Sequence, residues 1–211
     1  MDKKLYICQD CLKKMEPITG ETCKICSRKL QCLDEKFRSG DLCYDCFRWE
    51  NDENWRGLLT KNHSLFLYND FLKEVIARFK FRGDYILVKV FIEFFKKKLG
   101  ELEADIFVPI PLSKERLYEC GFNQAAALLK ESDLPESEIL TRTHSEKQSK
   151  KSRDDRIHLR QIFQLKPSFP FQGKRVILID DIYTTGSTLR QAAKLLKDAG
   201  AERVESVTIA R

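Results

Sequence analysis

Two adjacent carboxylates, Asp180 and Asp181, are followed at once by Thr184, Thr185, Gly186, Ser187 and Thr188, a grouping whose types and spacing suit a phosphorylated ligand. Gly186 permits a tight turn, so amides and hydroxyls can converge on an anion at a helix N-terminus. Three or four charge-assisted hydrogen bonds of about 1.5 to 3 kcal/mol each would hold a phosphomonoester at micromolar strength after desolvation losses. The paired acids beside this cup suit a ribose, whose vicinal hydroxyls each need an acceptor. The bland alternative is a polar turn with a Ser or Thr cap. Against it, adjacent aspartates at the end of a buried strand are a poor structural choice. No lysine follows the glycine in the form of a nucleoside-triphosphate loop, and no GxGxxG opens a helix for a dinucleotide.

The elements that must position these residues are legible around them. Val176 to Ile179 is an apolar run that fits a strand buried on both faces, ending at the acids. Leu189, Ala192, Ala193, Leu195, Leu196 and Ala199 fit an amphipathic helix behind the threonine and glycine turn. Upstream, Ile106 to Ile110 reads as a strand that finishes near Pro109, and a loop, Ser113 to Gln124, leads to a helix from about Asn123 to Lys130. Ile162 to Leu165 and Val204 to Ile209 read as two further short strands. Phe71, Leu72, Val75, Ile76 and Phe79 make one helical stripe, and Ile86, Leu87, Val90, Phe91, Phe94 and Phe95 a second, both expected in the core. Lys80 and Arg82, at the end of the first stripe, are within reach of an anion.

Six of the eight cysteines fall in three CxxC pairs. Sixteen residues separate Cys26 from Cys43, a zinc-ribbon interval, whereas eleven separate Cys11 from Cys23. Cys23, Cys26, Cys43 and Cys46 are therefore the expected ligands of a tetrahedral zinc whose four thiolates leave no open position for catalysis. A module of this size buries too little to fold alone, which makes the metal structural. The alternative, a redox CxxC, lacks the strand and helix pattern of a thioredoxin. Cys8, Cys11 and Cys32 stay unassigned, and Cys120 reads as a small buried thiol. The segment Trp49 to Trp55 breaks the cysteine pattern, dividing the chain into a zinc-ribbon module, 1–55, and a second domain, 56–211.

Of the 211 residues, 42% are hydrophobic and 33% charged, which describes a globular chain with room for one or two domains. No apolar run approaches the roughly 18 residues of a membrane helix, and the N-terminus lacks the apolar core of a signal peptide. Both favour the cytoplasm, where cysteines serve as thiols or metal ligands. The net charge of +6 does not by itself imply nucleic acid. Seven lysines and arginines against three acids lie between Arg142 and Arg160, either a solvated loop or an anion-facing one.

ILIDDIYTTGSTL resembles the phosphoribosyl-pyrophosphate motif of the type I phosphoribosyltransferases. That resemblance implies a parallel sheet flanked by helices, with Asp180 and Asp181 on the ribose hydroxyls and Thr184 to Thr188 on the 5-phosphate. It also implies magnesium with phosphoribosyl pyrophosphate, a pyrophosphate loop that includes Ser113, Lys114, Arg116 and the Gly121 to Gln124 stretch, and a cationic hood that includes Lys147, Gln148, Lys150, Lys151 and Arg156. Across nearly the whole chain, the cysteine ribbon together with FKFRGD, VPIPLSKERLYECGFNQ and EKQSKKSRDDR resembles the ComF family of competence proteins. A fuller family pattern carries another CxxC upstream, so a preceding segment is expected to be missing here. Family membership implies work on transforming single-stranded DNA with a helicase or recombination mediator as partner. Three readings follow: a phosphoribosyltransferase-like enzyme of DNA uptake, a non-catalytic scaffold that senses phosphoribosyl pyrophosphate and contacts DNA or a partner, and a nucleobase salvage phosphoribosyltransferase. The acceptor of a phosphoribosyl group is not written in the residues.

Overall fold

The structure, a computed structural model, describes residues 6–81, 83–142, 162–166 and 170–211. The N-terminal region holds α1 (Gln9–Lys14), a short hairpin of β1 (Arg38–Ser39) and β2 (Leu42–Cys43), and α2 (Tyr44–Asn51). There follow β3 (Lys61–Phe66), α3 (Asp70–Phe81), α4 (Val88–Gly100), β4 (Ile106–Pro109), α5 (Lys114–Cys120) and α6 (Gln124–Glu131). The chain then continues through β5 (Leu140–Arg142), β6 (Phe163–Leu165), β7 (Arg175–Ile182), α7 (Ser187–Asp198) and β8 (Arg203–Ala210).

Strands β3, β8, β7 and β4, in that order, form a parallel sheet with helices on both faces. Successive side chains of a strand point to opposite faces, and β7 shows what this accomplishes. Val176 and Leu178 join Leu189, Ala192, Ala193 and Leu196 of α7 in one packed layer. Ile177 and Ile179 join Phe79 of α3, Phe91 and Phe95 of α4 and Leu128 of α6 in the other. Each buried phenylalanine there contributes roughly 1.5 to 3 kcal/mol. Pro109 ends β4, an edge strand, where the missing N–H breaks no ladder bond.

The cysteine region packs directly on the sheet. Cys23, Cys26, Cys43, Cys46, Leu30 and Leu59 share the layer that holds α7. Residues Glu16 to Ile18 run along the outer side of β3: Ile18 N donates to the Leu65 carbonyl at 3.1 Å, Leu67 N donates to the Glu16 carbonyl at 2.9 Å, and Pro17 bridges Phe66 antiparallel.

Several local expectations change. β7 runs on to Ile182, so the two acids lie within its last residues and Asp180 pairs in register with Thr208. The segment after β4 is helical, not a loop: the Ser113 hydroxyl accepts from Arg116 N at 3.2 Å and caps α5. Trp49 belongs to α2 and is buried. Ile86 lies in a short 3-10 turn and is 61% exposed, outside the core expected for its stripe. β3 has no counterpart in the sequence reading because its inward face is polar. Asn62 Nδ2 donates to Ser64 Oγ at 2.7 Å, Ser64 and Thr208 share a 2.7 Å hydroxyl contact, and Ser206 Oγ donates to Asn62 Oδ1 at 2.8 Å. These buried groups satisfy one another, which is what permits them in the interior.

Candidate functional site

The C-terminal end of β7 opens into a cavity of about 270 Å³. Asp180 and Asp181 line it together with Lys80 from the end of α3, Arg116 and Cys120 from α5, and Arg142 from the end of β5. Asn123, the N-cap of α6, also reaches it, so one cavity gathers residues from five separate elements. The backbone holds each acid in place: Asp180 Oδ1 accepts from Asp181 N at 2.9 Å and Asp181 Oδ1 accepts from Ile182 N at 2.8 Å.

The charges are not equivalent. Asp181 is paired with Lys80 Nζ, and both side chains are largely shielded from water. Asp180 makes no ion pair of its own with the described residues, and burial pushes its carboxyl up to about 6, against the opposing pull of Lys80 and Arg142. Burial lowers the affinity of Lys80 for its proton, with Asp180 acting the other way, and Arg142 shows the same pattern. Three cations therefore face two carboxylates, one neutralised locally and one poised near neutrality. An oxygen-rich anionic ligand with hydroxyls to donate suits such a site.

The threonine and glycine turn is not among the residues lining this cavity; it sits three residues further along the chain, at the N-terminus of α7. Gly186 has φ 80°, and a Cβ there would come within 2.1 Å of Tyr183 Oη and 2.8 Å of Arg190 Nη1. Only glycine fits. Ser187 is buried, Thr185 and Thr188 are half-buried and Thr184 is exposed. Ser187 N donates to Thr185 Oγ1 at 3.4 Å.

The remaining anion-binding candidates separate. Ser113 is occupied as the cap of α5, and Lys114 opens that helix without lining the cavity. Lys147, Gln148, Lys150, Lys151 and Arg156, with Arg82, lie outside the described residues.

The four expected cysteines converge. The sulfurs of Cys23, Cys26, Cys43 and Cys46 all lie within 4.8 Å of one another, and each residue is fully buried. Cys26 and Cys43 sulfurs are 3.6 Å apart. Four thiolates about 2.3 Å from a tetrahedral centre have edges close to this length, so the set fits zinc. One half-site is a turn in which Ser27, at φ 60°, lets Ser27 N reach the Cys23 carbonyl at 3.1 Å. The other is the start of α2, with Cys43 as N-cap and Cys46 in the first turn. Cys8 and Cys32 are exposed and stand apart from this set.

Sequence reasoning passed over Trp49, Glu50, Tyr183, Arg190 and Arg211. Arg190 is wholly buried; it donates to Tyr183 Oη at 2.8 Å and to Glu50 Oε1 at 3.3 Å. A charged residue adjacent to the apolar face of a helix gives no periodic signal, and its position four residues after Gly186 was the one available clue. Phe81 was also missed: it lines the cavity, is 54% exposed, and has the Arg116 guanidinium 5.6 Å from its ring.

Comparison with known proteins bears on this arrangement. A family model described as phosphoribosyl transferase domain matches residues 121–211. The chain is 40% identical over 209 residues to the competence protein ComFC of Bacillus subtilis (strain 168), covering 97% of the chain and 84% of the relative. It is 33% identical over 205 residues to the competence protein ComFC of Streptococcus pneumoniae (strain ATCC BAA-255 / R6), covering 97% of the chain and 87% of the relative. The solved purine phosphoribosyltransferase of Pyrococcus horikoshii Ot3 aligns with 57% of the chain and 71% of its own, at 20% identity and a TM-score of 0.36. No helix among the described residues is long and apolar enough to cross a membrane.

Proposed function

The chain belongs to the ComF family of competence proteins, a phosphoribosyltransferase-like protein of natural competence, and from that premise we propose that it binds phosphoribosyl pyrophosphate across the cavity at the end of β7 and the turn that follows it. Asp180 and Asp181 accept from the ribose hydroxyls, the turn from Thr184 to Thr188 holds the 5-phosphate, and Lys80, Arg116 and Arg142 face the pyrophosphate. The observation that carries this reading is the gathering of both acids with three cations in one cavity, immediately before a glycine-capped helix N-terminus. Magnesium favours hard oxygen ligands, and Asp180 is the carboxylate left without an ion pair among the described residues, so it is the residue that would help hold magnesium, which would offset the charge of the leaving group. Departure of pyrophosphate leaves an oxocarbenium-like sugar carbon, and the residues named here act by holding both phosphate ends and offsetting charge. No strong general base is needed.

Phe81 and Arg116 favour a second element of the same reading, contact with single-stranded DNA at the mouth of the cavity. An exposed ring with a guanidinium beside it stacks on a base without regard to sequence, and Tyr118 on α5 is 92% exposed. That affinity falls as salt is raised.

Calorimetry with phosphoribosyl pyrophosphate and magnesium tests the central claim. Binding in the micromolar range is expected for the native chain, and Asp181→Ala should abolish it. A native chain that gives no heat, or an Asp181→Ala chain that binds equally well, removes the proposal.

A further inference from the structure

The cysteine centre and the phosphate turn touch through three side chains. Trp49, on α2 shortly after Cys46, donates its indole N–H to the Thr185 carbonyl at 2.9 Å. Arg211 donates from Nη1 to the Thr184 carbonyl at 2.8 Å and to the Tyr183 carbonyl at 3.4 Å, and it lies beside Cys26. Arg190 lies with its guanidinium 5.1 Å from the Trp49 ring and ties Tyr183 Oη to Glu50 of α2. Thus α2, which supplies Cys46, also supplies Trp49, which grips the turn, and Glu50, which holds Arg190.

Peptide planarity gives these contacts a direction. In a trans peptide the carbonyl of one residue and the N–H of the next lie in one plane and point opposite ways. Holding the Thr184 and Thr185 carbonyls toward the cysteine module therefore turns the N–H groups of Thr185 and Gly186 away from it. Among the described residues neither of those N–H groups has an acceptor. Two amides are fixed outward and left open, at the place where an anion would be received.

We propose that Trp49 and Arg211 are positioning residues for the sugar-phosphate site: seated on the four-cysteine module, they clamp the carbonyls of Thr184 and Thr185 and so aim the Thr185 and Gly186 amides outward for the 5-phosphate. This rests on the phosphoribosyl reading and gives the cysteine module a task in it. The module serves as the anvil against which the turn is set, and the metal's contribution to ligand binding runs through α2.

Trp49→Phe keeps an aromatic ring against Arg190 and removes the indole N–H together with part of the fused ring. The full-length variant should retain one zinc per chain by elemental analysis and bind ribose 5-phosphate about fivefold to tenfold more weakly by calorimetry, the scale of one lost hydrogen bond at a buried carbonyl. Backbone amide order parameters of Thr185 and Gly186 should fall in the ligand-free variant as the turn loosens. Trp55→Phe, whose ring packs on Trp49 at 5.3 Å, should leave binding and order parameters unchanged and make Trp49 the sole indole, whose emission then shifts when ribose 5-phosphate is added. Native affinity and native order parameters in Trp49→Phe overturn the clamp. If the native chain ignores ribose 5-phosphate, the phosphoribosyl reading fails by itself, and the ligand-free order parameters decide the clamp separately: lower values in Trp49→Phe uphold it, equal values end it.

Discussion

The four-cysteine centre and the β7 cavity are built on opposite plans. All four sulfurs come from one stretch, Cys23 to Cys46, they carry one chemistry, and they are fully buried in the layer that holds α7. The cavity draws Lys80, Arg116, Asn123, Arg142 and the two aspartates from five elements far apart in sequence, carries both signs of charge and opens to solvent. A site whose ligands are close in sequence can be set by local turns and stabilised by its metal; one whose groups arrive separately depends on the whole sheet being formed first. The difference separates a centre that holds structure from one that must still receive a ligand.

The sharpest way to break that contrast is to remove a ligand from each side. Cys46→Ser should abolish zinc retention and unfold the N-terminal region, because structural zinc sites contribute on the order of 10 kcal/mol; elemental analysis with thermal unfolding measures both, and a zinc-free variant melting like the native chain would show that the module holds itself. On the cavity side, Asp181→Asn strands a shielded Lys80 and should cost about 3 kcal/mol of stability, whereas Asp181→Leu combined with Lys80→Met should recover much of it. Denaturant melts of the single and double variants decide this. Recovery would mean that the pair is kept for ligand binding and not for stability.

The smallest effect sharpens the comparison by pH. Asp180 has its proton affinity raised from the ordinary 3.8 to about 6. Between these values the folded chain holds more protons than the unfolded one, so its contribution to stability is fully present below pH 3.8 and is lost as pH rises through about 6. On the proposed reading ligand binding runs the other way, because ribose hydroxyls donate best to the ionised carboxylate. Ribose 5-phosphate affinity should therefore strengthen as pH rises through about 6, and Asp180→Asn should reduce that dependence to the part set by the ligand's own phosphate, whose second ionisation also lies at about 6, while making the empty protein more stable at pH 7.5 by on the order of 1 to 2 kcal/mol. A native affinity that stays level from pH 5 to 8 would show that Asp180 does not meet the ligand.

How much could be read beforehand follows the same division. The cysteine set was legible because CxxC spacing is itself the geometry of a half-site. The acid pair was legible because an apolar run must end where charge begins. Lys80, Arg116 and Arg142 were each visible as cations, but their meeting depends on where α3, α5 and β5 end, which no local pattern encodes. α5 read as a loop because Lys, Glu and Arg dominate it and the helix is held by a Ser113 cap and not by an apolar stripe. β3 escaped because its buried face is Asn62 and Ser64, polar residues whose partners lie about 145 positions away on β8. Arg190 and Trp49 were hidden for the same reason: their value lies in partners on another element.

One modest contact has wider reach than its two hydrogen bonds suggest. The Glu16 to Ile18 segment occupies backbone groups at the C-terminal end of β3, Leu65 and Leu67, that an outermost strand would otherwise offer to an extended peptide. The amino-terminal region thus acts as a selvedge, the finished border that keeps a woven sheet from unravelling into its neighbours, and a chain trimmed past Ile18 would be prone to self-association even with all four clustered cysteines and every cavity residue intact.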